Sequence, residues 1–442
     1  MKTPSLATSV LLLASLLSPV HGAAVKDREG AVREDKAAWG NDARWAYNDL
    51  QRGFDEAKHS GKPLLVVLRC VPCLSCAGID ASVLTEPQLA PLLDKFVCVR
   101  VINANAIDLS LFQFDYDLSF STLFFNGDGT LYGRFGSWTH QKDQHDKSTA
   151  GFKRSLEATL ALHGGYPANK AALAGKQAPL SQYKTPVDIP TLQGKYRLQL
   201  DWNGKVVPSC VHCHQVGDAL RAVARNKKEP MPGELIFPMP PPDSIGLKLA
   251  PDAAARVVSV TENSAAARSG FQPGDDILSL AQQPLISSAD LSWVLHRAPD
   301  TGTLNAVVKR GTQEKSLTLT LPSGWRSKSD ISGRVGTWGL RGMASGGLVL
   351  EDLADDTRAT RNLSKDTLAL RVKFVGQYGN HAAAKKAGFE KDDIIVEIAG
   401  LTERLSEGEY IGRMLQGHSI GENVKATVLR GDKRLELTMP MQ

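Results

Sequence analysis

The chain has 442 residues, of which 42% are hydrophobic and 22% are charged. This is an ordinary composition for globular domains, and the length allows about three of them at roughly 150 residues each. The formal net charge is +5, and the 52 basic residues are interspersed with 47 acidic ones. Because the sequence contains no basic stripe, we expect no nucleic-acid partner.

The N-terminal residues have the pattern of an export signal. Lys2 precedes the apolar run Val10–Leu17, and small residues follow at positions 22–24. The run is shorter than the ~20 residues that a membrane span requires. We therefore assign residues 1–23 to a signal peptide and expect a secreted or periplasmic protein whose mature form has no membrane span.

Residues 40–165 show the alternation of helices and buried strands that is typical of an α/β sandwich. Amphipathic spacing predicts the helices, and continuous apolar runs predict the strands. In chain order, the predicted elements are a helix over 42–60, a strand over 63–68, helices over 75–84 and 87–95, a strand over 96–101, a hairpin over 122–135, and a closing helix around Phe152, Leu156 and Leu160. Cys98 falls inside an apolar strand and is predicted to be an inert core residue.

The first cysteine cluster, Cys70, Cys73 and Cys76, directly follows the strand predicted over 63–68. A CxxC at the start of a helix places its first sulfur near free backbone N–H groups and the positive end of the helix dipole, which favours the thiolate. The run Lys62–Cys76 (KPLLVVLRCVPCLSC) resembles the thioredoxin-like family, in which a Lys-Pro pair and a strand precede the redox motif. This resemblance implies that Cys73 is the catalytic nucleophile and Cys76 its resolving partner.

Three positions depart from the family pattern. Pro72 stands where the family has an aromatic residue, Val67 where it has a buried acid, and Ser121 where it has a proline beside the disulfide. Two other roles for the cluster therefore remain open, namely a structural disulfide and a thiolate metal site with Cys70 as third ligand. Our assignment is the redox dithiol, without a metal.

Residues 166–242 are predicted to be a linker that carries a short motif, Cys210-Val-His-Cys213-His214, and a proline-rich stretch over 229–242. The CxxCH pattern is that of covalent haem c attachment, in which both thiols bind the haem and His214 binds the iron. A distal ligand would have to come from Met231 or Met239. The alternatives are a disulfide or second redox dithiol, and a zinc site through Cys210, Cys213 and His214, with His212 as a further candidate.

The C-terminal part contains an internal repeat, because residues 264–278 recur in similar form at 381–395. The segment resembles the helix-to-strand signature of bacterial PDZ modules, which implies two α+β modules over 243–322 and 330–442. In the first module, Ile245, Gly246 and Leu247 would form the loop that binds a peptide carboxylate. In the second, the candidate loop is 338–342. The alternative is a pair of structural β-domains without a ligand.

The sequence thus predicts a multidomain chain: an α/β thioredoxin-like domain, a short CxxCH segment and two α+β PDZ-like modules. This combination resembles the bacterial exported thioredoxin-like/PDZ domain-containing (seleno)protein family, in its cysteine form. Three hypotheses follow: a thiol–disulfide oxidoreductase that recruits protein or peptide partners through PDZ grooves, a non-enzymatic PDZ scaffold, and a haem c electron-transfer protein.

Overall fold

The structure is a computed structural model that describes residues 27–71, 84–118, 120–136 and 149–442. The predicted signal peptide lies outside these residues, and so do Cys73 and Cys76. The helix predicted over 75–84 also falls almost entirely outside them. The redox assignment of Cys73 and Cys76 therefore stays a prediction.

A five-stranded sheet with the order β1-β3-β2-β4-β5 forms the first domain. Strands β1, β3 and β2 are parallel, whereas β4 and β5 are antiparallel to their neighbours. Apolar side chains pack on both faces of this sheet, as expected for an α/β sandwich. The strands are β1 (Trp45–Tyr47), β2 (Leu64–Arg69), β3 (Val97–Val101), β4 (Phe120–Phe125) and β5 (Leu131–Phe135), and the helices are α1 (Arg28–Trp39), α2 (Leu50–Ser60), a short helix Ala90–Leu93, and α3 (Thr149–Gly164).

The helix predicted over 42–60 begins later than expected. Residues 45–47 form strand β1 and pair with β3, so helix α2 starts only at Leu50, where the Asp49 side chain accepts a hydrogen bond from the Arg52 backbone. The prediction was wrong there because local spacing cannot detect a pairing with a strand 50 residues further on. The predicted strands and the predicted hairpin agree with β2 to β5. The helix predicted over 87–95 is shorter than expected, because it consists of a 3₁₀ turn followed by the short helix Ala90–Leu93.

Residues 166–242, predicted to be a linker, pack against the first domain and the second module instead. Ile189, Leu192, Val211 and Val216 belong to one hydrophobic core with strands β2 and β3. The proline-rich stretch contains a helical turn and buries Met231 and Phe237 in the core of the second module. These apolar side chains are spaced irregularly along the sequence. Their burial could therefore not be predicted from a helical or strand period. The helices are α4 (Cys213–Asn226) and the short helices Lys170–Leu173, Val206–Ser209 and Gly233–Ile236.

The first repeat folds as two small sheets, and a helix, α5, connects strands β9 and β10 of the second sheet. Strand β6 pairs with β7, and the second sheet has the order β11-β10-β8-β9. The elements are β6 (Leu247–Leu249), β7 (Val257–Val260), a short helix Ala265–Arg268, β8 (Asp276–Leu280), β9 (Gln283–Pro284), α5 (Ser288–Arg297), β10 (Gly302–Arg310) and β11 (Gln313–Leu321).

The second repeat forms a single five-stranded antiparallel sheet with the order β12-β13-β14-β15-β16, so β12 is an edge strand. Its elements are α6 (Thr337–Ser345), β12 (Leu348–Asp352), a short helix Asp355–Thr360, β13 (Leu370–Val375), a short helix Ala383–Lys386, β14 (Ile394–Ile398), α7 (Glu407–Gly417), β15 (Asn423–Arg430) and β16 (Lys433–Pro440).

Both repeats contain the same buried ion pair, which confirms the internal repeat at the level of structure. In the first, the Arg310 guanidinium donates to Asp275 at 2.7 Å and to the carbonyl of Gly270 at 2.9 Å. In the second, Arg430 donates to Asp393 at 2.8 Å and to the carbonyl of Gly388 at 2.6 Å. Each pair ties the last hairpin of its module to the turn before the third strand.

Within the described residues, no helix is long and apolar enough to cross a membrane.

Candidate functional site

Cys70 lies at the carboxyl end of β2, directly after a strand that is buried along its whole length. In α/β folds this edge of the sheet is where functional groups collect. Arg69, the last residue of β2, donates to the Asp35 carboxylate of α1 at 2.6 Å and thereby fixes the end of the strand. The first cysteine cluster therefore begins on a rigid element.

The CxxCH segment is held against this same end of the sheet by Asn105. The Asn105 side chain is fully buried, accepts a hydrogen bond from the Val211 backbone at 2.7 Å, and donates to the carbonyls of Arg197 and Ser209. Asn105 belongs to the loop after β3, so the first domain positions the second cysteine cluster. Sequence reasoning did not single out this residue, and a lone asparagine in a loop gives no signal of such a role.

Helix α4 begins within the motif. Cys213 is its first residue and His212 its N-cap, and the Gln215 side chain accepts a hydrogen bond from the His212 backbone at 2.8 Å. The Cys213 sulfur therefore lies at the positive end of a 14-residue helix. Cys210 precedes this helix and does not share that position.

Cys70 of the first cluster and both cysteines of the second line one small pocket. The Cys70 Sγ lies 3.3 Å from the Nδ1 of His212, although the two residues are 142 positions apart in the sequence. The pocket wall is otherwise mainly apolar. Its lining includes Cys70, Cys210, His212 and Cys213 together with Val71, Ile102, Leu200 and Val206.

The groups in this pocket differ in their proton affinity. Burial raises the pKa of Cys210 to about 11, and its Sγ lies 3.4 Å from the Ile102 carbonyl, which accepts from the thiol. Burial, and then the neighbouring His214 and Arg28, lower the pKa of His212 below the ordinary histidine value. At neutral pH Cys210 is thus a thiol, and His212 is a neutral imidazole that can accept a proton.

The residues present do not fit a haem c in the predicted arrangement. His214 would have to face the iron between the two thioether bonds, but it does not line the pocket that Cys210 and Cys213 line. Its Nδ1 lies 3.5 Å from the Asp218 carboxylate one turn further along α4, and its ring stacks on that of His212. Met231 is buried in the core of the second module, and Met239 packs beside His296 of α5, so neither is placed as a distal ligand.

Cys98 is buried within β3, as the sequence predicted. Burial raises its pKa to about 12, and its Sγ lies 3.6 Å from the Leu93 carbonyl. In the parts of the chain that the structure describes, no cluster of three or more histidine, cysteine or acidic side chains is arranged to hold a metal ion.

The predicted carboxylate-binding loop of the first module is buried. Ile245 and Leu247 are only 1% exposed and belong to the module core. Gly246 has φ of +89°, and a Cβ there would lie 2.1 Å from the Cβ of Ser264, so only glycine fits. Its backbone N–H donates to the Asp243 carbonyl at 2.9 Å. The loop is therefore closely packed against its own module.

The candidate loop of the second module, residues 338–342, is part of helix α6 and not a loop. The segment that enters β12 is Gly346–Gly347, both with positive φ. The prediction was wrong because Trp338 and Gly339 resemble the glycine-containing sequence of a carboxylate-binding loop, although they lie in a helix. A groove of about 970 Å³ runs beside the edge strand β12 and the start of α7.

Comparisons with known proteins identify two domain classes in this chain. Residues 45–127 match the thioredoxin-like family model, and residues 243–321 match the PDZ domain model. These matches confirm the predicted combination of a thioredoxin-like domain with a PDZ domain.

A curated relative is described as a probable periplasmic serine endoprotease DegP-like, from Pseudomonas savastanoi pv. phaseolicola (strain 1448A / Race 6). It is 37% identical over 84 residues, which is 18% of this chain and 18% of the relative. Among solved structures, the HtrA-type protease AlgW with decapeptide is 17% identical at a TM-score of 0.21, covering 31% of this chain and 40% of that one. A second structure of this protease with decapeptide gives 16% identity and the same TM-score. The chain thus spans only a minor part of each of these proteins.

Proposed function

We propose that this protein is an extracytoplasmic thiol–disulfide oxidoreductase that acts on protein clients recruited through its PDZ part. The observation that carries the proposal is the pocket at the end of β2, where a thioredoxin-like sheet presents Cys70 at 3.3 Å from the His212 imidazole. Strand β2 thus holds the start of the cysteine cluster beside a group that can exchange protons with a thiol, and the thiolate is the nucleophile in disulfide exchange.

The reaction would run through the CxxC that follows. The Cys73 thiolate attacks a client disulfide, forms a mixed disulfide and releases one client thiolate. The Cys76 thiolate then attacks the Cys73 sulfur, releases the second client thiolate and leaves a Cys73–Cys76 disulfide. Two electrons pass from the protein to the client, and the reverse sequence oxidises a client dithiol. The export signal and the DegP-like relative, described as periplasmic, support a site of action outside the cytoplasm.

The test uses the full mature chain and a defined disulfide protein such as insulin. A Cys76→Ser variant cannot release its client, so we expect a stable mixed disulfide through Cys73 that is visible by intact mass and disappears on reduction. The matched control is Cys73→Ser/Cys76→Ser. If the single variant holds no more insulin than this control, the proposed reaction is wrong.

A protein-binding scaffold is the second candidate, and the groove beside β12 favours it. The groove adjoins an edge strand, and PDZ domains bind peptides by adding a strand to such an edge. In this case the Cys73→Ala variant should bind C-terminal peptides as tightly as the parent chain, measured by fluorescence anisotropy. A loss of more than about tenfold in affinity would contradict an independent scaffold role.

A further inference from the structure

The second cysteine cluster lies at the thioredoxin-like site and not in a separate domain. Asn105 anchors the segment to the loop after β3, and Cys210, His212 and Cys213 line the same pocket as Cys70. The segment preceding this motif packs on the same core as β2 and β3. A dithiol held in this way can exchange disulfides with Cys70 without any movement of domains.

The two sulfurs of the CxxCH motif are not equivalent. Cys210 has a raised pKa because it is buried, and its thiol is within reach of the Ile102 carbonyl. Cys213 begins helix α4, where the helix dipole and the N-terminal N–H groups favour a thiolate. This order is the reverse of the usual CxxC, in which the helix begins at the first cysteine. Cys213 is therefore the attacking sulfur and Cys210 the resolving one.

We propose that Cys210 and Cys213 form a second redox dithiol that exchanges electrons with client disulfides through Cys70. The inference deepens the proposed oxidoreductase function and rests on it. Neither haem nor metal is required for this exchange.

The exchange takes place in three steps. The Cys70 thiolate first attacks a client disulfide, which gives a Cys70–client mixed disulfide and one client thiolate. The Cys213 thiolate then attacks the Cys70 sulfur, forms a Cys70–Cys213 disulfide and releases the second client thiolate. Cys210 finally gives its proton to a released client thiolate, attacks the Cys213 sulfur and returns Cys70 as a thiolate, so that the chain ends with a Cys210–Cys213 disulfide. Two electrons pass from the CxxCH dithiol to the client.

His212 serves as the proton acceptor for Cys70. At 3.3 Å from the sulfur, the neutral imidazole takes the thiol proton when Cys70 attacks and returns it when Cys70 leaves. Because His212 directly precedes Cys213, the residue that activates Cys70 also fixes the start of helix α4. His212 is thus the general base of the exchange, and it should control the rate of the exchange and its pH profile.

The experiment isolates this exchange from the first motif. In a full-length Cys73→Ser/Cys76→Ser background, Cys210→Ser removes the resolving thiol, and oxidised glutathione acts as the disulfide substrate. We expect a Cys70–Cys213 disulfide. After alkylation and trypsin digestion, mass spectrometry should detect fragment 70–95 joined to fragment 206–221, which in this variant contain one cysteine each.

Three further variants complete the design. In the same background, Cys70→Ser/Cys210→Ser should leave glutathione on Cys213, and Cys213→Ser should give no Cys70–Cys210 disulfide because the raised pKa of Cys210 keeps it protonated. His212→Ala in the Cys210→Ser variant should slow the formation of the joined fragments by at least about tenfold at pH 7 and shift its pH profile upward.

The inference is overturned if the Cys210→Ser variant gives only glutathione adducts, or if Cys213→Ser joins Cys70 to Cys210 as readily. Circular dichroism of each variant shows whether the fold is retained, and Cys98, buried in β3, should remain unmodified in every sample as an internal control. Because Cys73 is absent throughout, a failure here leaves the insulin test of the first motif unaffected, and the reverse also holds.

Discussion

The two PDZ-like modules share a sequence signature and an Arg–Asp ion pair, but the charges of the groups that attach them to the rest of the protein are reversed. In the first, the module supplies the acid: Asp290 of α5 pairs with Lys176 at 2.8 Å and accepts from the Arg134 backbone of β5. In the second, the module supplies the base: Arg334 donates to Asp115 and Asp117 of the thioredoxin-like domain. All five side chains are buried.

The difference has a consequence for peptide binding. Helix α5 lies against β5 of the thioredoxin-like domain, and its residues 288–295 are all buried, so its outer face is covered. The corresponding helix α7 borders an accessible groove next to edge strand β12. Glu407 at the start of α7 accepts from the Leu350 backbone of that strand at 2.8 Å and pairs with Arg341. The repeated sequence signature therefore determines the fold of each module. Residues outside the signature determine whether the peptide-binding face of the module is covered or accessible.

The largest expected effect is a difference in stability between two variants, Asp290→Ala and Glu409→Ala. Asp290 is the third residue of helix α5, and Glu409 is the third residue of helix α7. Asp290→Ala leaves Lys176 buried without its carboxylate, so we expect a loss of about 3–5 kcal/mol in the free energy of unfolding. Glu409 pairs instead with Lys328, whose side chain is 66% exposed, and accepts from the Ser406 backbone in a capping box, so Glu409→Ala should cost only about 1–2 kcal/mol. Urea denaturation of both variants measures the difference, and equal losses would contradict it.

The next effect tests whether the repeated ion pairs are energetically equivalent. Arg310→Ala and Arg430→Ala each leave a buried aspartate, Asp275 or Asp393, with its backbone hydrogen bond but without its guanidinium partner. We expect each to lose about 2 kcal/mol of stability, because a hydrogen bond to a charged group is removed in both. A difference above about 1 kcal/mol between the two variants would show that the modules differ inside the repeat and not only in their attachment.

The third prediction concerns pH. Burial, opposed by Arg334, raises the pKa of Asp115 to about 6, whereas Arg334 and Arg221 overcome the effect of burial on Asp117 and hold its pKa below the ordinary value. A carboxyl whose folded-state pKa is raised is stabilising below its unfolded pKa and loses this contribution as pH rises through about 6. Asp115 should therefore add roughly 1 kcal/mol of stability as the pH falls from about 7 to about 5.

The control for this prediction is Asp115→Asn, which keeps the shape of the side chain but does not titrate. The difference in stability between parent and variant, measured by urea denaturation across this range, should rise toward low pH. A difference that is flat or falls toward low pH would contradict the raised pKa.

The smallest effect is a difference in local opening between the modules. Backbone amides in α5, covered by the thioredoxin-like domain, should exchange with deuterium at least about tenfold more slowly than those in the edge strand β12. Hydrogen-exchange mass spectrometry resolves fragments from the two elements. If β12 is equally protected, its edge is covered and the groove is not available for a peptide.

The buried strands β2 and β3, the hairpin of β4 and β5 and the internal repeat could all be predicted from the sequence. Each depends on neighbours within a few residues, such as the apolar run before Cys70 or the Asn126–Gly129 turn. The candidate site was only partly predictable. Cys70 was treated as an extra cysteine and His212 as a further zinc candidate, because no pattern relates two residues that are 142 positions apart.

The sequence by itself therefore determined the kinds of domain and the two cysteine motifs, since strand runs, helix caps and repeated signatures are local properties of the chain. The tertiary structure determined which distant residues contact those motifs and domains. Packing of residues 166–242 on the first domain brings His212 to Cys70, and pairing of Asp290 with Lys176 covers helix α5. Long-range packing of this kind depends on shape and charge complementarity between distant segments, which no local pattern records.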